Sequence, residues 1–249
     1  MTPTTMRYAD RLRKLIVPFH LARLVASPRG RAFQLSFMAD AEESDEGVFD
    51  EMLSRVPDAD VQKMIRMHRD DERRHARLFR ECVARTGVRP DPVPDELRII
   101  KRIDRLVGGG VEAFLANPSA GVMGVYAMLQ VVEQRGVEQF PAVAHALRRV
   151  DPESAAVVDE ITRDERRHVR YAQAIAKRYA PDAETLETTL GHCRAIEAQA
   201  FAEHGRAFLR FAVEHDLLAV RGPERLLWRA LVAVADPRTP EVDRPAEAA

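Results

Sequence analysis

Cysteine is nearly absent from this chain: Cys82 and Cys193 are the only two in 249 residues. They form no Cys-x-x-Cys pair, give no disulfide framework and cannot build a cysteine-ligated iron site. A reducing, cytoplasmic setting is the expectation. Lysine is almost as scarce, with four against 34 arginines, and the net charge is −1. Basic and acidic residues alternate, so no electropositive stripe offers itself to a nucleic acid. The local exception, Arg7, Arg11, Arg13 and Lys14, reads as a solvated helix face. No apolar run approaches the roughly 18 residues that span a bilayer. Leu15–Ala26 comes nearest, but Pro18, His20 and Arg23 interrupt it and argue against a signal peptide. Neither a nucleic-acid nor a membrane partner is expected.

Strand patterns are also missing. Glycine and proline gather at a few breaks (Ser27–Gly30, Gly87–Pro94, Gly108–Gly110, Asp151-Pro152 and Ala180–Asp182) with helical periodicity between them. The pattern predicts an all-α chain. Long helices fall at about 31–54, 59–86, 119–149 and 152–180, after an N-terminal helix at about 5–26. A short helix at about 94–107 crosses between halves, and two more follow at about 183–216 and 222–235. Asp151 and Pro152 give a helix start with an acceptor cap and a proline in first position. Four segments result: an N-terminal helix (1–30), a central bundle (31–180), a helical extension (181–236) and a disordered tail (237–249).

What the chain has in place of these missing features is a repeated pentapeptide. Asp-Glu-Arg-Arg-His occurs at 71–75 and at 164–168. Each copy holds a Glu-x-x-His pair, Glu72 with His75 and Glu165 with His168, and residues three apart share a helix face. With 21 Glu and 8 His in 249 positions, chance gives about 0.7 such pairs. Two copies, both inside identical pentapeptides, are not chance. The repeat extends further. Aligning Glu42 with Glu133 matches Phe49 to Phe140 and brings Arg55-Val56 and Arg149-Val150 close to register. Each half is then an antiparallel pair, a Glu helix followed by a Glu-x-x-His helix, and two such pairs make a four-helix bundle with a long crossover.

The core stripes can be read at heptad-like spacing. Glu42 falls on the first stripe, His68, Glu72 and His75 on the second, Glu133 on the third, and Glu165 and His168 on the fourth. Four carboxylates at one level of an apolar core would repel and cost several kcal/mol each. Two divalent cations balance the four charges, and neutral imidazoles complete the shells. The ligand set is therefore Glu42, Glu72, His75, Glu133, Glu165 and His168, with each ion gripped by one Glu-x-x-His pair.

These residues resemble the ferritin-like di-iron carboxylate superfamily over about 31–180. Both pentapeptides are similar to the Asp-Glu-x-Arg-His motif of bacterial multicomponent monooxygenases, one copy of which occurs in acyl-carrier-protein desaturases. The resemblance implies two iron ions, with manganese or a mixed pair as alternatives. It also implies that Asp71 and Asp164 each accept the ring N–H of the opposite helix's histidine, which fixes the ring and strengthens it as a donor. Arg74 and Arg167, three residues on, can pair with those aspartates. The function implied is O₂ activation to hydroxylate, desaturate or N-oxygenate a small organic substrate of unknown identity. An external reductase is a further expected partner, and a homodimer is the candidate assembly. A ferroxidase or rubrerythrin-like peroxidase is the alternative, and a non-catalytic metal-stabilised helical protein the second. The chain is shorter than those oxygenase subunits and lacks rubredoxin cysteines.

Four residues stay open at this level. His68, where the other repeat has Ile161, reads as a hydrogen-bonded core histidine, with an extra ligand as the alternative. Asp45 faces Gly136 across the repeat, either as a pocket wall or as solvated acid and close packing. Tyr126 and Tyr171 read as core aromatics, with radical or proton transfer as the alternative. Pro141 predicts a kink in its helix. His192, Glu197 and His204 share a face too loosely for another metal site.

Overall fold

The computed structural model describes residues 19–43, 46–108 and 121–235. Asp45, most of the N-terminal helix expected at 5–26 and the tail beyond 235 lie outside them. Every regular element among the described residues is helical. Ser27 separates α1 (residues 19–26) from α2 (Pro28–Glu43). Its hydroxyl accepts the Gly30 amide at 3.2 Å, and Pro28, with no amide hydrogen to satisfy, takes the first helical position. The expected break at Ser27–Gly30 thereby shrinks to one bend, and α2 starts at Pro28 rather than 31.

The helix expected over 31–54 appears as α2 and then α3 (Glu46–Arg55), followed by α4 (Ala59–Arg85). In the crossover a one-turn 3-10 helix, Asp95–Leu97, precedes α5 (Ile99–Val107), where the sequence predicts one continuous helix. Gly108 ends α5 at φ 75°, the left-handed conformation that only glycine enters cheaply, with its amide on the Asp104 carbonyl. Then comes α6 (Gly121–Leu147), which runs through Pro141 without interruption. One missing amide does not break a helix of 27 residues with buried residues on both sides of the proline, Met123–Leu129 before and Val143, Ala144 and Leu147 after. Next is α7 (Pro152–Tyr179), capped as expected by Asp151, whose Oδ1 accepts the Ser154 amide at 3.0 Å. Asp182 caps α8 (Ala183–Glu214) in the same way through Thr185 at 2.7 Å, and α9 (Pro223–Ala235) follows.

Two long packings define the bundle, α2 along α4 and α6 along α7, and α4 meets α7 between them. Its interior is stratified. At one end Leu35, Met38, Phe79, Val143, Leu147 and Val158 form an apolar layer. At the other Phe49, Met52, Ile65, Tyr126, Leu129 and Ile175 form a second. On all four strands of the bundle the numbering places one polar level between these layers: Glu42, His68–His75, Glu133 and Glu165–His168.

The extension packs outside. The first half of α8 covers the outer face of α6 through Met128, Cys193 and Ile196, with Ile103 from α5. Its second half joins Phe33, Phe208, Phe211 and Trp228 in an apolar cluster with α1, α2 and α9. At that junction a Cβ on Gly30 would lie 2.3 Å from the Leu217 carbonyl oxygen, so only glycine lets the segments meet. Among the described residues no helix is long and apolar enough to cross a membrane.

Candidate metal centre

The polar level holds seven titratable side chains from four helices: Glu42 (α2), His68, Glu72 and His75 (α4), Glu133 (α6), and Glu165 and His168 (α7). None is more than 9% exposed, and His75 and His168 are fully buried. Their potential ligand atoms form two overlapping groups, His68–Glu72–Glu133–His168 and Glu42–Glu72–His75–Glu165. Within each group all ligand atoms lie within 4.8 Å of one another, and Glu72 belongs to both. Such a group is close enough to hold a metal ion.

Helix geometry explains the convergence. Positions 68, 72 and 75 are one turn apart on a single face of α4, as are 165 and 168 on α7. The helices are antiparallel at this level, so each histidine reaches across to the other's glutamate. His168 Nδ1 lies 3.0 Å from Glu72 Oε1, against 3.5 Å from Glu165 on its own helix. His75 Nδ1 lies 3.3 Å from Glu165 Oε1, against 3.9 Å from Glu72. The two Glu-x-x-His pairs thus interlock, each histidine lying nearer the other helix's glutamate than its own.

The interlock is fixed from behind. His168 Nε2 lies 3.2 Å from Asp71 Oδ2, and His75 Nε2 lies 3.3 Å from Asp164 Oδ2. Each imidazole thus presents Nε2 to the opposite helix's aspartate and turns Nδ1 inward. Arg167 donates to Asp71 at 2.6 Å and pairs with Asp164 at 2.8 Å. Arg74 donates to Asp164, to Asp71 at 3.3 Å and to Glu160 at 2.8 Å. Two arginines and two aspartates therefore clasp α4 to α7 directly behind the histidines.

His68 is the residue that sequence reasoning underrated. Its Nε2 lies 3.1 Å from Glu133 and 3.2 Å from Glu72, and its ring stacks on His168 at 3.9 Å between centroids. The signal was present, since 68 is one turn before 72 on the core stripe. It was diluted because the equivalent Ile161 is ordinary core. His68 makes the two groups unlike: one has two imidazoles and two carboxylates, the other one imidazole and three carboxylates.

The other open positions resolve differently. Tyr126 is fully buried in the second apolar layer, and its hydroxyl has no hydrogen-bond partner. Tyr171 is half-buried on α7. Asp45 lies outside the described residues. Glu197 is held by Arg135 through two bonds of 2.8 Å, and His204 bonds the Leu97 carbonyl at 2.9 Å among aromatic rings. His192 is exposed, so these three form no cluster.

The electrostatics describe a site arranged for cations. Burial, and then the neighbouring Glu72 charge, push the Glu42 carboxyl up to about 8. Burial and Glu165 push Glu133 up to about 7. Burial alone would lower His75, yet Glu165 and Glu42 raise it to about 11. His168 is raised further, with Asp71, Glu165 and Glu72 outweighing burial. His68 is lowered by burial. Burial would raise Asp71, but His168 and Arg167 hold it far below the usual carboxylate range. Without metal, protons must occupy places that cations would take.

The fit is tested by the polar atoms left over. Glu72 Oε1, His75 Nδ1, Glu165 Oε1 and His168 Nδ1 are buried and make no well-aligned hydrogen bond; their close neighbours are one another, at 3.0 Å (His168–Glu72) and 3.3 Å (His75–Glu165). Buried polar atoms without a well-aligned bond are rare in folded proteins, and all four belong to residues of the two groups. A divalent ion in each group would satisfy them, and the donor set of carboxylates and imidazoles suits iron, manganese or zinc. No family model matches the chain, nor does any curated protein or solved structure.

Proposed function

We propose that this chain is a ferritin-like di-iron oxidoreductase that activates O₂ to oxidise a small organic substrate. The observation that carries the reading is the pair of overlapping Glu/His groups, buried between two apolar layers. Glu72, common to both groups, would be shared; Glu42 and Glu165 would hold one ion with His75, and Glu133 the other with His168 and His68. An iron pair bound there would supply the redox chemistry for reducing O₂.

The chain's own contribution is geometric and electrostatic. Asp71 and Asp164 accept the Nε2 protons and so leave both Nδ1 lone pairs facing inward. Arg74 and Arg167 keep those aspartates ionised and in place. Phe79, Val158, Ile65 and Tyr126, above and below, exclude water that would quench a strong oxidant. Inserting one oxygen atom and releasing the other as water consumes two electrons. No cysteine-bound cluster exists in this chain to provide them, which calls for an external reductase.

Anaerobic loading with Fe(II), metal analysis and rapid mixing with O₂ test the reading. Two irons per chain and an optical transient that decays faster with an oxidisable substrate are expected. Iron turnover without limit and mineral formation would select a ferroxidase instead. Loaded iron that never reacts with O₂ would leave a metal-stabilised structural protein.

A further inference from the structure

A row of exposed cations runs along the outside of α7: Arg163, Arg166, Arg170 and Lys177. Among the described residues no side chain pairs with theirs. The four positions fall within about 60° of one another around the helix, and the row is about 21 Å long. In the sequence it is hidden, because acids alternate with the arginines. The fold separates the two signs. From residue 161 to 178 the only acids of α7 are Asp164 and Glu165. Asp164 is held in the clasp by Arg74 and Arg167, and Glu165 is buried in the polar level. Just before the row, Asp159 and Glu160 are taken by Arg148 and Arg74. What remains outward is positive charge. This face also leads to the metal centre. Arg167, next in the chain to Arg166 and 32% exposed, donates to Asp71 at 2.6 Å, and Asp71 lies 3.2 Å from His168 Nε2. Two contacts thus connect the surface beside the row with an imidazole of the polar level.

We propose that the row is the docking face for an acidic protein that donates one electron at a time to the centre behind it. The inference rests on the di-iron reading above and adds the face and the charge of the reductase it calls for. Each encounter oxidises one donor by one electron, so two encounters return a ferric pair to the ferrous state. A row of unpaired cations on an exposed helix steers an acidic partner and raises its rate of encounter. A nucleic-acid strand would use aromatic side chains for its bases to stack on. The exposed residues between these cations are instead Gln173 and Ala174.

A plant-type [2Fe–2S] ferredoxin, a low-potential one-electron donor, is the probe. Its binding, read by calorimetry, needs no iron, and its electron transfer is read by stopped-flow reduction of the di-ferric protein. The wild type should bind it, and both binding and reduction should weaken steeply as salt is raised. Arg163→Glu, Arg166→Glu and Arg170→Glu together should lower the reduction rate by about 100-fold, with iron content unchanged. Reduction by the methyl viologen radical cation should be no slower in that variant. Undiminished ferredoxin binding and reduction in the variant overturn the proposal. So does a wild type that binds single-stranded RNA through the row and not the ferredoxin. If the triple variant fails to fold or to load, Lys177→Glu alone decides by the same criterion with a smaller loss. A wild-type protein that binds the ferredoxin in a salt-dependent way but holds no iron contradicts the metal reading and leaves the docking face standing, which separates the two failures.

Discussion

The two halves of the bundle present the same pentapeptide to the centre, yet their surroundings differ in ways that matter for metal. Asp71 and Asp164, and His75 and His168, are equivalent by sequence and similarly placed in space, each reaching across to the other half; Glu72 and Glu165 share a sequence position, but only Glu72 belongs to both groups. One turn earlier, α4 offers His68 where α7 offers Ile161. The repeated positions build the clasp and the interlocked Glu and His pairs. The unrepeated one makes one ion position richer in nitrogen and the other richer in oxygen. The same lesson holds at the end of the repeat: Val56 is buried at 1%, while Val150, close to its register, is 42% exposed. Equal letters give equal environments only where both halves face the shared interior.

The strongest way to break this comparison is to remove the carboxylate common to both groups. Glu72→Ala should abolish binding of both ions, whereas Glu133→Ala and Glu42→Ala should each abolish one, as read by metal content after gel filtration. Equal losses from all three would show that the two positions do not exist as described.

The clasp gives the next largest effect. Asp71→Ala and Asp164→Ala should each lower metal affinity by about 10–100-fold, the usual consequence of freeing a ligating imidazole, by competition against a chelator. Because the clasp is symmetric, the two variants should match. A clear inequality would place the asymmetry in the clasp rather than in His68.

Protonation supplies a third test with a definite sign. Glu42 and Glu133 rise from 4.5 to about 8 and about 7 in the folded chain. Between pH 4.5 and those values the metal-free folded state binds protons that the unfolded state has released. These two carboxyls, joined above about pH 6.5 by His75, therefore lower its stability as pH rises towards 8, while His20 and His204, lowered to about 4 by burial, oppose them below about pH 6.5. Metal binding needs the ionised carboxylates, so affinity should rise and protons should be released across the same window. Urea midpoints at both ends, with and without metal, check the two slopes. A metal-free protein that gains stability towards pH 8 contradicts them.

The smallest and sharpest change is His68→Ile, which gives α4 the residue that α7 already has. It should weaken one ion without removing the other, and should lower the stability of the metal-free protein, since buried Glu133 loses its hydrogen-bond partner. Calorimetric titration and a melting curve read the two effects.

The architecture was legible because its determinants are local and periodic. Asp151 and Pro152 fix one helix start, Gly108 fixes one end, and the stripes fix which faces meet. That the six residues expected as ligands would come together was legible for the same reason: each is polar where the stripe demands an apolar residue. What escaped was everything set by approach across the bundle. That the glutamates interlock rather than pair within a helix depends on α4 and α7 running antiparallel with their aspartates pulling Nε2 outward. His68 escaped because membership depends on its distance to Glu133, a residue of another helix. Ser27 confined a break that glycine and proline suggested would be wider, because a proline at the first position of a helix starts it.

The central claim is that Glu72 is shared by two ions and Glu133 serves one. Iron content of the wild type, Glu133→Ala and Glu72→Ala after anaerobic loading tests it most directly. The expected result is two ions, one ion and none, following the two groups that share Glu72. A Glu72→Ala protein that keeps both ions would contradict the account.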